Sequence, residues 1–289
     1  MKKGIALLIT LGFLTILSGL IAYIFTINQK SFELASQIDS FNQDSILFVD
    51  IKKMLDSYVK DINSSGDLSN FLVGLPGLKD EKNDLFLEVK ISALNGKINI
   101  NSLLVNKKID KSLTGLLIDI CNRYNVLDSD FLISLILDTI DLDDVERVAQ
   151  SEISLVDVKF KNGKITNSRH FKQILNYYTN IVKDTNAKRV PWDEIIFFGE
   201  VKKDILDCDR LENDIVLSLG YDPNRFTGCQ DLNDSKNLEK YNLSSFNKKN
   251  DYFVKVDLGY SIEEGKLNSI SFNYNLKSMK CSNIVLKGR

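Results

Sequence analysis

The chain has 289 residues, of which 44% are hydrophobic and 26% charged, the proportions of an ordinary folded protein with room for one or two domains. Lys and Arg number 37 and Asp and Glu 39, so the formal net charge is −2. A charge so close to neutral provides no basic field, and we therefore expect no nucleic-acid partner. Only 3 prolines and 15 glycines are present, which argues against long disordered linkers.

The first predicted element is a membrane-spanning helix. Residues 4–27 carry no charged side chain and follow only Met1, Lys2 and Lys3. At a rise of ~1.5 Å per residue, about 24 helical residues reach ~36 Å, enough to cross a hydrocarbon core of ~30 Å. Because Lys2 and Lys3 are the only charges on the short side, the positive-inside rule places the rest of the chain outside the cytoplasm.

Three interpretations of this N-terminus remain open. A cleaved secretory signal has an apolar run of ~7–15 residues and an A-x-A-like site, and this sequence fits neither requirement. An uncleaved signal anchor is the second interpretation. The third is a prepilin-type leader, because Lys2-Lys3-Gly4 before an apolar run that begins at Ile5 resembles that arrangement. The resemblance implies that a prepilin peptidase cuts between Gly4 and Ile5.

The helix is predicted to continue beyond the membrane. After residue 28, apolar side chains recur at steps of three and four, at Leu34, Ile38, Phe41, Phe48, Leu55, Val59 and Ile62. No proline or glycine interrupts the pattern before Gly66. One helix is therefore expected, with residues 5–27 in the membrane and residues 28–62 packed on a folded domain.

Strands are predicted in two parts of the chain. Asn95-Gly96 is a strong β-hairpin signal, and extended apolar segments flank it at residues 85–91 and 97–100. Near the C-terminus, alternating apolar and polar side chains predict further strands at residues 252–258, 270–276 and 284–286. This alternation indicates an antiparallel sheet with one buried face, which the long helix would cover.

Short helices are predicted between these strands, at residues 113–122, 130–139, 171–183, 191–198 and 211–219. Ser112, Ser129 and Ser168 suit helix N-caps, and Pro191 suits a first helical turn. Asn162-Gly163 predicts one more hairpin among them. A mostly helical block therefore separates two β segments, an insertion that is tolerable because loop-closure entropy grows only slowly with length.

Four cysteines, Cys121, Cys208, Cys229 and Cys281, allow three connectivities in an exported domain. Cys208 and Cys229 are the candidate disulfide because they are close in sequence, and a loop of about 20 residues contributes ~3 kcal/mol on the chain-entropy model. No C-x-x-C spacing occurs, which disfavours zinc binding and thioredoxin-like chemistry.

The sequence indicates no catalytic site. The single histidine, His170, fits a surface or cap position better than a catalytic base. Trp192 is most simply a packing residue. The G-x-S-x-G, H-E-x-x-H, Walker A and G-x-G-x-x-G motifs do not occur, so the common hydrolytic and nucleotide-binding sites are not indicated. We expect no catalytic residues and no enzyme activity.

An acidic run follows the second of these helices, with Asp138, Asp141, Asp143, Asp144 and Glu146. Clustered carboxylates repel one another unless they are solvated, capped or bridged by Ca²⁺. The run lacks the glycine and the spacing of an EF-hand loop. Two interpretations stay open: a solvated turn, or a calcium site with Asp141, Asp143 and Asp144 as candidate ligands.

Three features resemble the minor pseudopilin K family of type II secretion systems. Residues 96–103, Gly-Lys-Ile-Asn-Ile-Asn-Ser-Leu, are similar to the family's segment after its first strand. Residues 135–144 resemble its L-L-D-W-I-D-x-D helix and turn, with Thr139 in place of the tryptophan. Most pilins carry a glutamate at the fifth mature residue, where this chain has Ile9, and the K subfamily shares that departure.

The resemblance implies an α+β fold, in which a pilin-like long N-terminal helix packs on an antiparallel β-sheet and a large mostly helical domain is inserted in the sheet. The implied segments are a leader (1–4), the transmembrane and periplasmic parts of the helix (5–27 and 28–62), the first part of the β domain (63–100), the inserted domain (101–250) and the last part of the β domain (251–289).

The implied role is that of a non-enzymatic tip subunit of the secretion pseudopilus, anchored in the inner membrane with its C-terminal domain in the periplasm. Minor pseudopilins I, J and H would be its partners, and calcium is a cofactor in some members. The alternative is a signal-anchored periplasmic sensor or ligand-binding domain, which would keep Met1 and show an open pocket.

Overall fold

The computed structural model describes residues 23, 25–26, 29–30, 41–73, 75–80, 85–200, 205–232, 237–261 and 268–287. The chain divides into two compact units, Met1–Leu55 and Asp56–Lys287. No division falls near residues 100 or 250, so the domain boundaries expected there stay predictions.

The helices in chain order are α1 (41–58), α2 (Ser65–Leu72), α3 (Lys111–Arg123), α4 (Ser129–Ile140), α5 (Ser168–Val182), α6 (Trp192–Ile195), α7 (Asn213–Ser218) and α8 (Asn237–Lys240). The strands are β1 (Leu75–Asp80), β2 (Leu85–Ala93), β3 (Ile98–Asn99), β4 (Leu104–Val105), β5 (Lys108–Ile109), β6 (Ile196–Phe197), β7 (Leu206–Asp207), β8 (Leu243–Ser244), β9 (Phe253–Ser261), β10 (Asn268–Asn275) and β11 (Lys280–Lys287).

Helix α1 is followed by a 3-10 turn, Val59–Asp61. The described residues before it, Tyr23, Phe25, Thr26, Gln29 and Lys30, are also helical. In the described part of the chain, no helix has both the length and the apolar character needed to cross a membrane. Most of the predicted span, residues 4–27, lies outside the described residues.

A five-stranded antiparallel sheet has the order β1-β2-β9-β10-β11. Alternate residues of β9 are buried, and the residues between them are partly exposed; the buried positions include Val254, Val256, Leu258 and Tyr260. Apolar side chains therefore lie on one face of this strand, as the sequence alternation predicts. Strands β9, β10 and β11 match the three strands predicted near the C-terminus.

The predicted hairpin at Asn95-Gly96 is wrong. Strand β2 pairs with β1 and β9, whereas β3 pairs in parallel with β6. Asn95 is fully buried, and its side chain donates to the Ile205 carbonyl at 2.9 Å and accepts from the Phe253 N–H at 2.7 Å. Asn95 and Gly96 do form a tight turn, closed by the Lys97 N–H donating to the Leu94 carbonyl at 2.9 Å, but this turn does not join two strands that pair with each other. The Asn95 side chain links the turn to two distant chain segments. The second predicted hairpin is also wrong, because residues 156–165 are all described and contain no strand.

The predicted helices α3, α4, α5 and α7 are present, but their N-caps are not the serines. Asp110, Asp128 and Asn167 cap α3, α4 and α5 by accepting from backbone N–H groups near each helix start. In each case, an Asp or Asn that precedes the predicted serine in the sequence caps the helix instead. Helix α6 ends early at Ile195, because Ile196 and Phe197 pair with β3.

The segment between β2 and β9 encloses a large hydrophobic cluster, which includes the fully buried side chains of Leu103, Leu116, Leu117 and Tyr178. Trp192 belongs to this core. Its ring packs against Phe171 with centroids 5.1 Å apart, and its indole N–H donates to the Ala187 carbonyl at 2.7 Å. Trp192 is therefore a satisfied packing residue.

Candidate functional site

The predicted cleavage site, Gly4 and Ile5, lies outside the described residues, as does Ile9. The chemistry that the structure does describe concentrates at the acidic run after α4, at the Cys208–Cys229 pair and at a groove beside α5.

Arg147 forms ion pairs with two of the acidic residues in the run, Asp138 and Asp141. Its guanidinium donates to Asp138 and, at 2.6 Å, to Asp141, while Ser151 also donates to Asp138. Asp138 is fully buried and Asp141 nearly so. Burial raises the pKa of Asp141, but hydrogen bonds from Arg147 and the Leu142 N–H outweigh it and hold that pKa below its usual value. Two of the predicted acidic residues thus belong to a structural ion-pair cluster.

Asp143 and Asp144 lie apart from that cluster. Asp143 forms an ion pair with Lys107 at 3.6 Å, and Asp144 Oδ1 lies 3.5 Å from Ser154 Oγ. The structure does not gather Asp141, Asp143 and Asp144 at one point. Among the described residues, a single group of three His, Cys, Asp or Glu side chains has all its ligand atoms within 4.8 Å of each other. This group is Cys208, Asp209 and Cys229.

Cys208 and Cys229 are joined by a disulfide, with Cα atoms 4.9 Å apart. Bonded sulfurs offer no thiolate to a metal, so this group is not a metal site. Cys121 and Cys281 are not part of a disulfide, and burial raises the pKa of the Cys121 thiol to about 12. Cys121 is therefore a thiol at neutral pH and behaves as a small core residue.

Removing this disulfide is expected to lower the free energy of unfolding by about 2–3 kcal/mol, because the bond closes a loop whose ends are 21 residues apart. The measurement is urea unfolding of the full chain in detergent, comparing Cys208→Ala/Cys229→Ala with the wild type. Cys281→Ser is the matched control and should change stability by under about 0.5 kcal/mol. A double variant as stable as the control would contradict this expectation.

Glu152 is the site residue that the sequence did not reveal. It is fully buried, and its Oε1 accepts from Ser154 Oγ and from Asn162 Nδ2, both at 2.6 Å. Its Oε2 and the Asn162 Oδ1 are buried and have no hydrogen-bond partner among the described residues. Buried acceptors without donors are costly, and oxygen atoms of this kind are the ligands that Ca²⁺ prefers.

The acidic turn lies beside Asn162 and Ser154, the two residues whose side chains donate to Glu152 Oε1. Asn162 Nδ2 lies 3.5 Å from the Asp143 carbonyl oxygen, and Asp144 contacts Ser154 as described above. Glu152, Asn162, Asp144 and the Asp143 carbonyl therefore fit the oxygen-rich chemistry of a calcium ion. Asp141 does not join them, because Arg147 and the Leu142 N–H occupy its oxygens. Nothing in the sequence around Glu152 marks it as buried, and only the fold reveals it.

A groove of about 440 Å³ runs beside α5. Its apolar wall consists of Phe171, Leu175, Val190, Pro191, Trp192 and Phe198. Lys172 and Lys188 lie among the polar lining residues, with Asp193 and Glu194. His170, on the same helix, instead contacts Phe160 at a ring distance of 5.1 Å, and burial lowers its pKa. The groove is an open apolar cleft with charges of both signs.

No protein-family model and no curated protein matches this sequence. A solved structure is nevertheless similar over nearly the whole of one of its chains: the crystal structure of the GspK-GspI-GspJ complex from the type 2 secretion system of enterotoxigenic Escherichia coli. The similarity has a TM-score of 0.54 at 11% sequence identity and covers 88% of this chain and 99% of that chain.

At this identity the similarity shows the fold alone. The expectation of a mixed fold of helices and antiparallel sheet, like that of a chain in the GspK-GspI-GspJ complex, is confirmed. The finer expectations, a long N-terminal helix packed on the sheet and a helical domain inserted in it, stay predictions.

Proposed function

We propose that this protein is a minor pseudopilin of the K type, a non-enzymatic subunit at the tip of a type II secretion pseudopilus that helps nucleate its assembly. The observation that supports the proposal best is the fold similarity over 99% of a chain from the GspK-GspI-GspJ complex. The basic start, Gly4 and the uncharged stretch to residue 27 add independent support from the sequence.

In this proposal, residues 5–27 anchor the chain in the inner membrane and the remaining domain lies in the periplasm. Its partners are the corresponding minor pseudopilins I and J, by analogy with the named complex, and H as well. Ile9 suits a tip position. In a filament, a glutamate at that position pairs with the N-terminal amine of a neighbour, and without a neighbour a carboxylate in an apolar bundle is costly.

Processing of the leader is the first expected outcome. In cells that contain a prepilin peptidase, intact-mass analysis of membrane-extracted protein should show loss of Met1 to Gly4 and a methyl group on Ile5. Gly4→Val should block the cut and leave the full mass, whereas Gly12→Val, inside the apolar stretch, is the matched control and should be processed. A wild-type chain that keeps Met1 in such cells would contradict the proposal.

The alternative function is a signal-anchored sensor or ligand-binding domain. The groove beside α5 is the observation that favours it, because its volume of about 440 Å³ falls in the range of small-molecule sites. The intact-mass experiment distinguishes the two functions, because a signal anchor keeps Met1.

We propose calcium as a structural cofactor at Glu152, Asn162, Asp144 and the Asp143 carbonyl. When bound, the ion supplies positive charge beside the buried Glu152 carboxylate and binds acceptors that otherwise have no donor. Glu152, and not Asp141, is the central calcium ligand in this proposal, because Asp141 is already paired with Arg147.

Calcium should therefore raise the melting temperature of the wild type, at a concentration where magnesium has little effect. A ligand present at about 100 times its Kd stabilises a protein by ~2.7 kcal/mol. Glu152→Gln should abolish the calcium-dependent rise, and Glu239→Gln, at an exposed position, should leave it intact. An equal rise in both variants would place calcium elsewhere.

A further inference from the structure

Helix α5 gives the groove beside it both apolar and polar lining residues. Ser168, Lys172 and Asn176 line the groove at four-residue spacing and are exposed. Phe171 and Leu175, one position before two of them, also line the groove and are buried. Residues four apart lie on the same side of a helix, so α5 contributes a polar wall beside an apolar floor.

Aromatic rings join the two sides of the groove. The ring of Phe171 lies 5.1 Å from that of Trp192 and 6.2 Å from that of Phe198, measured between centroids. All three residues line the groove, and we call them the aromatic floor. The indole N–H of Trp192 donates to the Ala187 carbonyl at 2.7 Å, which fixes the ring in place. The aromatic floor is therefore a preformed apolar surface.

Four charged side chains line the groove: Lys172, Lys188, Asp193 and Glu194. All four are exposed, and none of them forms an ion pair or a side-chain hydrogen bond with a described residue. Another lysine, Lys97, donates to the Asp193 backbone carbonyl at 2.6 Å, but its charge is paired with Glu212 at 3.9 Å. The two cations and two anions of the groove are thus available to a ligand.

The signs of these charges are separated by element. Lys172 lies on α5 and Lys188 in the 3-10 turn Asn186–Lys188, whereas both acids lie in α6. The lining charges sum to zero, so a ligand with charge of one sign leaves the opposite pair uncompensated. A ligand with an ammonium group, a carboxylate and an apolar body between them matches all of these features.

We propose that the groove binds a short apolar peptide with free ends. Its carboxylate pairs with Lys172 or Lys188, its ammonium group pairs with the acids of α6, and its side chains cover the aromatic floor. A free amino acid carries both charges on one carbon atom, whereas a peptide separates them by ~3.3–3.6 Å per residue. The groove favours the peptide because its cations and anions do not contact each other. This inference rests on the groove alone and is compatible with either proposed function.

The test titrates the full chain in detergent with trileucine and follows the fluorescence of Trp192, the single tryptophan of the sequence. Isothermal titration calorimetry repeats the measurement. Saturable binding is expected. N-acetyl-trileucine and trileucine amide each lack one charge and should bind about fivefold more weakly, the upper end for an exposed ion pair. Triglycine and free leucine should bind at least about tenfold more weakly, because they cover less of the aromatic floor.

Variants of the charged residues assign each end of the peptide. Lys172→Gln combined with Lys188→Gln should bind trileucine about fivefold more weakly and should no longer distinguish it from trileucine amide. Asp193→Asn combined with Glu194→Gln should no longer distinguish trileucine from its N-acetyl form. Arg169→Gln is the matched control, because Arg169 is exposed on α5 but does not line the groove, and it should keep both preferences.

Three results would each overturn the proposal. The first is no saturable binding up to millimolar trileucine by either fluorescence or calorimetry. The second is equal affinity of the wild type for trileucine, its capped forms and free leucine. The third is a charge variant that keeps the preference it is expected to lose. None of these results bears on the processing of the leader, so failure of this inference and failure of the secretion role are distinguishable.

Discussion

Arg147→Met is expected to lower the free energy of unfolding by about 3–5 kcal/mol. Arg147 is paired with Asp138, which is fully buried, and with Asp141, which is 8% exposed. Methionine keeps much of the aliphatic stem, so the loss comes from two carboxylates left without a cation in a low-dielectric site. The measurement is urea unfolding of the full chain in detergent at pH 7.

Arg225→Met is the matched control. Arg225 also pairs with an aspartate, Asp222, but at 3.8 Å and with 88% of its side chain exposed. Exposed pairs of this kind contribute at most ~1 kcal/mol, so the control should be nearly as stable as the wild type. Equal losses in the two variants would show that burial does not determine the strength of the Arg147 pairs.

The pH dependence of the Arg147 effect has a definite sign. The pKa of Asp141 is depressed in the folded protein, so its contribution is present above its unfolded pKa of ~3.9 and is lost as pH falls below that value. The stability difference between wild type and Arg147→Met should therefore shrink as the pH is lowered from about 5 toward 3. A difference that grows over this range would contradict the pairing.

The acidic run shows how far the sequence predicts this site. Helical periodicity predicted α4, and the density of acids after it predicted a turn, because both are local patterns. The partners of the acids are not local: Asp138 and Asp141 face Arg147, and Asp143 faces Lys107. Glu152 is buried by chain packing that no spacing encodes. Hence the turn could be predicted, but its division into an ion-pair cluster and a calcium candidate could not.

The sheet shows the same distinction. Alternation predicted β9 and β10 because each strand has one buried face, and the burial of alternate residues in both strands follows that pattern. Strand β11 also forms as predicted, but its apolar residues Ile284, Val285 and Leu286 are exposed instead of buried. The Asn95-Gly96 dipeptide does form a turn, but the strands on either side of it pair with other strands, so no hairpin results. Asn95 hydrogen-bonds to Ile205 and Phe253, which lie more than 100 positions away in sequence.

Gly96→Ala is expected to lower the free energy of unfolding by at least about 3 kcal/mol, at the upper end of overpacking costs. A Cβ atom on Gly96 would lie 1.9 Å from the Arg210 carbonyl oxygen and 2.8 Å from its carbon, and this obstacle is backbone that cannot rotate away. Arg210 is itself held in place, since it pairs with buried Asp207 at 3.0 Å and donates to Ser69 at 2.6 Å. Glycine is therefore required here for space.

Gly115→Ala is the matched control for this substitution. Gly115 lies inside α3, and a Cβ atom there meets nothing within 4 Å. Alanine has the higher helix propensity, so the control should stabilise the protein by about 0.5–1 kcal/mol. The two alanines should thus have opposite signs in one urea-unfolding series. A Gly96→Ala variant as stable as the wild type would contradict the close approach of Gly96 to the Arg210 backbone.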